Sequence, residues 1–350
     1  MSARSLLISH ASGATPDVQR RRERALLEAG ALGELHLHAS TLAGEVLGLG
    51  AFHLEPGPRG EPGTALLWRR STGGRAIAAG DGFLLVTLGL PHRSALVADD
   101  RWALAPEQVM NRCVRGLLAW LRKLGVDPVY PGLDLVTASR RALAHVSFAE
   151  GEAGPTLFQA IVALRTSLAT TPALLDRVDP QGVVPAHLLS SSQVTTLAEL
   201  QGTEAQGEID LAAIAAQIAA AYAEVFDLET EELDDEVTKL MLAEDPGPLA
   251  YVPRALAADA RVEVAHGLLG PVTAAAHVEH GVVADFALTG DFLAPPSAIR
   301  ELAQRLIGGP ATASAAADAL RDVLDGRRNY LLGLRPAELH ALVARGVGAS

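Results

Sequence analysis

The chain has 350 residues, of which 49% are hydrophobic and 20% are charged, a balance typical of globular proteins. This length exceeds what one compact core usually holds, so we expect two domains. The formal net charge of −12 disfavours a nucleic-acid partner. The sequence contains no run of about 18 apolar residues, so we expect neither membrane insertion nor export. The single cysteine, Cys113, excludes an internal disulfide and fits a cytoplasmic location.

The first ninety residues change from a helical to a strand-like pattern. The charged run Gln19–Arg24 predicts the solvent-exposed start of a helix. From Glu34 to Thr87 short apolar runs broken by glycine and proline predict strands, and Glu55–Gly63 reads as a loop. His36 and His38 alternate on one predicted strand. Without a third ligand we favour solvent-facing histidines over a metal site.

The middle of the chain alternates between helical and strand patterns. Apolar residues at three- or four-residue spacing predict a helix over Ala105–Gly125, with Cys113 as a buried small side chain rather than a nucleophile. A second helix is predicted over Glu208–Leu228, and the acidic stretch Glu229–Glu236 after it is interpreted as a solvated face. Three more strands are predicted between these helices: Leu133–Ala138, Ala142–Phe148 and Thr156–Leu164.

The last hundred residues have the pattern of a separate small domain. Proline-rich sequence predicts a linker at 246–255, which divides a large domain (1–245) from a small one (256–350). Strand patterns at 261–265, 272–280 and 283–288 precede helical patterns at 298–306, 313–324 and 336–344. The predicted fold class is α+β: a mixed, mainly antiparallel sheet flanked by helices, followed by a small α+β domain.

The segment Trp68–Asp81, WRRSTGGRAIAAGD, is the strongest candidate for a binding site. Glycines at a strand-to-strand turn allow backbone N–H groups to converge on an anion, and arginine supplies a planar fork for carboxylate or phosphate. The same residues also suit a tight hairpin with no ligand. The segment differs from a Walker loop and from the dinucleotide-binding glycine pattern.

Within that segment, RRSTGGRA is similar to the RRxSGGGA or RRxTGGRA motif of the lipoate-protein ligase family. Other segments resemble that family in the same order along the chain, over about residues 25 to 345. They are Gly44–His53, Tyr130–Val136, Ser139–Phe148, Gly154–Leu164, Val194–Leu197 and the accessory-domain-like Asp285–Pro310.

This resemblance implies a biotin/lipoate ligase-like fold and an enzyme that uses ATP and Mg²⁺ to adenylate lipoate or octanoate. The acyl group would then pass to a lysine of a lipoyl carrier domain. Catalytic roles are implied for Arg141, which stands where the family has a lysine, and for Asp134, which either binds magnesium or orients an arginine. No other metal ligand is predicted. The substrate- or nucleotide-binding residues implied are Arg70, Ser71, Thr72, Gly73, Gly74, Arg75, Ala76 and His145.

Two hypotheses remain open at this point. The first is an active lipoate or octanoate ligase in which Arg141 has replaced the lysine. Arginine keeps the charge but differs from lysine in shape and hydration. The second is a non-catalytic acyl- or nucleotide-binding protein that has kept the turn without the chemistry. Biotin ligation is a third hypothesis that fits less well, because the accessory-like segment resembles the lipoate branch.

Overall fold

A mixed eight-stranded sheet forms the centre of the large part of the molecule. The structure is a computed structural model that describes residues 4–56, 65–152, 154–184, 189–202, 210–233, 253, 256, 259–324 and 326–348. In spatial order the strands are β11 (Leu228–Glu232), β1 (Arg4–Ala14), β2 (Leu35–Leu42), β6 (Phe83–Leu90), β10 (Thr156–Ala163), β9 (Arg141–Glu150), β8 (Leu135–Ala138) and β7 (Pro128–Val129). Among the described strands of this sheet, only β1 pairs in parallel, with β2 and β11, so the predicted mainly antiparallel sheet is confirmed.

Helices cover both faces of this sheet. Two amphipathic helices, α2 (Pro106–Lys123) and α5 (Leu211–Phe226), share one core with the first face. The other face is covered by α1 (Pro16–Ala31) and by a small sheet of β4 (Leu66–Arg69), β3 (Glu45–Leu49) and β5 (Ile77–Gly80). Shorter helices, α3 (Thr171–Val178) and α4 (Leu197–Gln201), complete this part, with 3₁₀ turns at Leu168–Thr170 and Ser191–Gln193.

Residues after 260 form a three-stranded sheet backed by three helices. The strands are β12 (Arg261–His266), β13 (Pro271–Glu279) and β14 (Val282–Gly290), and the helices are α6 (Pro296–Leu306), α7 (Ala313–Val323) and α8 (Pro336–Gly346). The core between them also contains Ala51 and Phe52 of the large part. The Phe52 ring stacks on Phe292 at 4.4 Å between ring centroids. The predicted elements of this module are therefore confirmed, and its core reaches the loop after β3.

Several sequence predictions are corrected by the structure. The glutamates after α5 face solvent, as predicted for Glu229–Glu232, but this segment is also the edge strand β11, which was not predicted and whose backbone pairs with β1. His36 and His38 are buried, not solvent-facing, because α1 covers their side of β2. Most of the predicted linker 246–255 lies outside the described residues, so its boundaries remain predictions. No described helix combines the length and hydropathy needed to span a bilayer.

Candidate functional site

The RRSTGG segment forms the turn between β4 and β5, beside the end of β3. Its backbone is tied to β3 and the loop after it, because Arg70 N–H donates to the Leu49 carbonyl and the Thr72 carbonyl accepts from the Ala51 N–H, both at 2.9 Å. Gly74 has φ +86°, a left-handed conformation that favours glycine. A side chain at Gly50 would overlap the Gly74 carbonyl oxygen. The glycines therefore allow a tight turn against β3.

Arg70 lies beneath the turn and is fully buried. Its Nη2 donates to the Arg75 carbonyl at 2.5 Å, and its Nη1 lies 3.2 Å from Ser147 Oγ and 3.3 Å from His145 Nδ1. Burial lowers the pKa of Arg70 to about 10, while nearby carboxylates, Glu23 first, raise it. The guanidinium therefore stays charged at neutral pH and fixes the turn from inside.

Arg75 and Asp134 form a buried bidentate ion pair. Arg75 Nε is 2.5 Å from Asp134 Oδ2, and Arg75 Nη2 is 2.9 Å from Oδ1. Both side chains are at most 4% exposed. Burial raises the pKa of the Asp134 carboxyl, and Arg75 opposes that rise. Of the two roles left open for Asp134, the structure shows the one in which it orients an arginine.

A buried glutamate of α1 reaches the other end of the turn. Glu23 Oε2 accepts from the Ser71 N–H at 2.8 Å and from Ser71 Oγ at 2.7 Å, and Oε1 accepts from Gln159 Nε2 at 2.9 Å. Thr72 Oγ1 links Gln159 to Ser147. Burial raises the pKa of Glu23, and these donors oppose the rise.

Sequence reasoning missed Glu23, because the run Gln19–Arg24 was interpreted as solvated. Gln19, Glu23, Leu26 and Gly30 recur at helical spacing and face the sheet. That spacing was the available signal, although the neighbouring arginines conceal it.

The C-terminal module covers the turn. Gly74 N–H donates to the Phe292 carbonyl at 2.9 Å, and a side chain at Gly73 would overlap that same oxygen. Next to it, His53 Nε2 lies 2.6 Å from Asp291 Oδ1, with both side chains fully buried. One expectation is corrected: the Gly74 N–H, which we expected to face an anion, donates to a carbonyl of the protein.

Arg141 does not join this cluster. Ser139 and Arg140 both have positive φ and form a two-residue hairpin turn between β8 and β9, which places Arg141 at the start of β9. Its Nη1 is 2.6 Å from Glu199 on α4, and its side chain is 34% exposed. His145 lies four residues further along the strand, roughly 13 Å away. The geometry thus gives Arg141 no contact with the turn.

His145 presents an unpaired ring nitrogen to the turn. Because Arg70 can only donate, the contact to Nδ1 makes Nδ1 an acceptor and places the proton on Nε2. His145 Nε2 is buried without a hydrogen-bond partner among the described residues, and Asp134 Oδ2 is 3.7 Å away. Burial and then Arg70 and Arg75 lower the pKa of His145 well below its usual value. A neutral imidazole therefore places its Nε2–H beside Gly74, where an added Cβ would lie 3.5 Å from Nε2.

The cysteine and the described lysine of the chain lie away from the turn. Cys113 is fully buried on α2, and burial raises its pKa to about 12, which confirms the prediction of an unreactive thiol. Lys123 is exposed on α2 and pairs with Glu224 at 2.6 Å. Lys239 lies outside the described residues. The cluster around the turn therefore contains no lysine among the residues described.

The residues at the turn do not fit Mg²⁺ as they stand. Both oxygens of Asp134 are held by Arg75, and within the described ranges no group of three acidic, histidine or cysteine side chains could hold a metal. The phosphates of ATP meet a similar difficulty, because Arg75 is paired and two of the three Arg70 nitrogens face protein acceptors. Among the described residues at the turn, the buried side-chain nitrogens without a hydrogen-bond partner include Arg69 Nη2, Arg70 Nε and His145 Nε2.

Two buried histidines predict a loss of stability in acid. Burial lowers the pKa of His38 to about 3, assisted by Arg22, and the pKa of His145 is also lowered. The unfolded chain therefore binds more protons than the folded protein below about pH 6.5, and each histidine should reduce the free energy of unfolding by up to about 1.4 kcal/mol per pH unit.

We expect His38→Asn to remove one histidine's share of this slope in urea unfolding measured between neutral pH and pH 5. The difference between variant and wild type cancels the contributions of shared groups such as Glu23 and Asp134. Identical slopes for the two proteins would contradict a buried neutral His38.

No family model and no curated protein matches the sequence. The structure of P. falciparum LipL1 in complex with lipoate matches with a TM-score of 0.65, covering 98% of this chain and 99% of that chain at 11% identity. A structure of lipoate-protein ligase A bound with ATP matches with a TM-score of 0.50, over 72% of this chain and 97% of that chain, at 16% identity. The chain has the lipoate-protein ligase fold. The predicted fold is therefore confirmed, and the first match spans the C-terminal module as well.

Proposed function

We propose that this protein is a binding member of the lipoate-protein ligase fold. It holds a medium-chain carboxylate of the lipoate or octanoate kind at the Gly74 side of the turn and does not adenylate it. The observation that carries this proposal is the buried Arg75–Asp134 pair. One contact removes both a carboxylate that could hold a metal and a guanidinium that could hold a phosphate.

The charge balance of the turn supports a single carboxylate and disfavours a triphosphate. Three buried arginines, Arg69, Arg70 and Arg75, stand against three buried acids, Glu23, Asp134 and Asp291. Because this set is balanced, each added negative charge requires compensation. A single carboxylate adds one negative charge to this set, whereas a triphosphate adds several.

Two of the unpaired nitrogens at the turn are the donors for the carboxylate. His145 Nε2–H and Arg70 Nε both lie buried at the turn. Hydrogen bonds from ionised or polarised donors to a carboxylate are the stronger ones in a low-dielectric interior. His145 thus positions one carboxylate oxygen, and Arg70 supplies positive charge behind it. Arg141 has no part in this arrangement, since it contacts Glu199 at the surface.

The second candidate function is that of an ATP-dependent lipoate or octanoate ligase. It is favoured by the whole-chain likeness to LipL1, which includes the module that covers the turn. This reading needs ATP and Mg²⁺ at the turn and a lipoyl carrier domain as the acceptor of the acyl group. The Arg75–Asp134 pair would have to separate, and Phe292 would have to leave Gly74. We therefore rank it second.

Pyrophosphate exchange into ATP separates the two candidates. With lipoate, octanoate and biotin in turn, we expect no acid-dependent exchange above the rate without acid, because the turn offers neither a metal ligand nor a free pair of guanidinium groups. Direct calorimetric titration should still show saturable binding of a medium-chain carboxylate. Acid-dependent exchange would instead establish the ligase. The absence of any carboxylate binding would contradict both candidate functions.

A further inference from the structure

An open groove lies between α2, the end of α5 and the edge strand β7. Because α2 and α5 cover the first face of the large sheet, the groove is on the side away from the RRSTGG turn. Its volume is about 510 Å³, within the usual range for binding sites. The residues that matter most are Arg115, Leu118 and Arg122 of α2, Pro128 and Val129 of β7, and Val225 of α5.

A chain reversal at the end of α2 creates this groove. The Gly125 N–H donates to the Arg122 carbonyl at 3.0 Å, and the Val126 N–H donates to the Leu121 carbonyl at 3.1 Å, which ends the helix. β7 then lies beside α2 as the last strand of the described sheet. The outer side chains of α2 therefore stand next to a sheet edge.

That sheet edge is unsuited to the addition of another strand. β7 has only two residues and begins with Pro128, and Pro131 follows shortly after it. Proline has no N–H to donate to an added strand, and proteins use it to protect sheet edges. A molecule in the groove is therefore held by side chains and does not extend the sheet.

Two arginines of the groove carry unpaired charge. Arg115 and Arg122 are exposed, and neither has a hydrogen bond or an ion pair within the part of the chain that the structure describes. No acidic residue is among the described lining residues. Glu224, which precedes Val225, is already paired with Lys123 at 2.6 Å. In a chain of net charge −12, this local positive charge favours an acidic partner.

The spacing of the arginines matches the repeat of a helix. Arg115 and Arg122 are seven residues apart on α2, so they point in the same direction and are separated by roughly 10 Å along the axis. Leu118 lies between them, and the neighbouring Val129 and Val225 are 54% and 38% exposed. A second helix packed along α2 would present carboxylates with the same spacing and apolar side chains between them.

We infer that this groove binds an amphipathic acidic helix of a partner protein. Apolar side chains of that helix pack on Leu118, Val129 and Val225, and two of its carboxylates pair with Arg115 and Arg122. The inference is independent of the proposed function, since the groove and the turn are on opposite faces of the sheet.

Calorimetric titration of the full-length protein with a designed helical peptide tests the inference. The probe is an alanine-based peptide with two glutamates seven residues apart and leucines three and four residues after the first glutamate. We expect saturable binding at low salt that weakens about fivefold in Arg115→Glu and in Arg122→Glu, because an attraction becomes a repulsion. Arg112→Glu makes the same charge change on α2 outside the groove, and it should leave the affinity unchanged.

A charge swap identifies the contact. Of two peptides in which one glutamate is replaced by lysine, one should bind Arg122→Glu more tightly than it binds the wild type. A peptide with both glutamates replaced by glutamine should bind the wild type about tenfold more weakly than the glutamate peptide. Equal affinities for these two peptides, or no binding of either, would overturn the inference.

Sedimentation equilibrium of the protein alone tests a different occupant. We expect the wild type and Arg122→Glu to have the same mass, because the groove is reserved for another protein. Self-association of the wild type that Arg122→Glu abolishes would overturn the inference, since a second copy of the chain would then fill the groove.

Discussion

Replacing Arg70 with alanine should lower the affinity for the carboxylate by roughly 10–100-fold, the range for hydrogen bonds that involve charged groups. The guanidinium holds the turn through the Arg75 carbonyl and Ser147, and it fixes the proton of His145 on Nε2. Without it, His145 is free to carry its proton on either nitrogen, and the positive charge behind the ligand is lost. Calorimetric titration of the folded variant measures this effect.

Two further variants separate binding from folding. Arg70→Lys keeps the charge but not the planar fork, so we expect an intermediate loss of affinity with the fold retained. Arg177→Ala removes an exposed arginine that pairs with Glu45 at the surface, and it should leave affinity unchanged. Normal affinity in a folded Arg70→Ala protein would remove the turn from the binding site.

Asp134→Ala should destabilise the protein by about 3–5 kcal/mol, the usual cost of leaving one member of a buried ion pair without its partner. Arg75 would then remain charged and buried, while both of its paired nitrogens lose their acceptor. Urea unfolding at neutral pH measures the change. The effect should be among the largest of any single polar replacement near the turn.

Two further variants show whether the lost stability comes from the buried charge of Arg75. A double variant, Asp134→Leu with Arg75→Met, should recover most of the stability, because an apolar pair leaves no buried charge. Glu45→Ala, which breaks the exposed pair with Arg177, should cost at most about 1 kcal/mol. If the free energy of unfolding of Asp134→Ala lies within about 1 kcal/mol of the wild-type value, then Arg75 and Asp134 do not form this ion pair in solution.

Local sequence patterns predicted most of the fold. The apolar spacing of α2 and the alternation of β13 and β14 appear directly in the residues, and the structure confirms them. β11 was missed because its residues are acidic and solvent-facing, so that only its backbone, paired with β1, makes it a strand. Local amino-acid composition does not reveal that a segment's backbone pairs with a distant strand.

The site was predictable in part. The RRSTGG turn and the resemblance in order along the chain brought Arg70, Arg75, Asp134 and His145 together correctly. The same reasoning placed Arg141 with them, but a two-residue hairpin turn fixes it at the surface. The covering of the turn by Phe292 depends on contacts more than two hundred residues apart in sequence. Residue spacing predicts contacts within a helix or strand, so it could not predict this contact.

The most direct test of the account is a crystal structure of the full-length protein grown with a medium-chain carboxylate, ATP and Mg²⁺. We expect the carboxylate between Gly74 and His145, with Arg75 still bound to Asp134 and no nucleotide at the turn. An acyl-adenylate at the turn, with Asp134 released from Arg75 and bound to magnesium, would contradict it and establish the ligase.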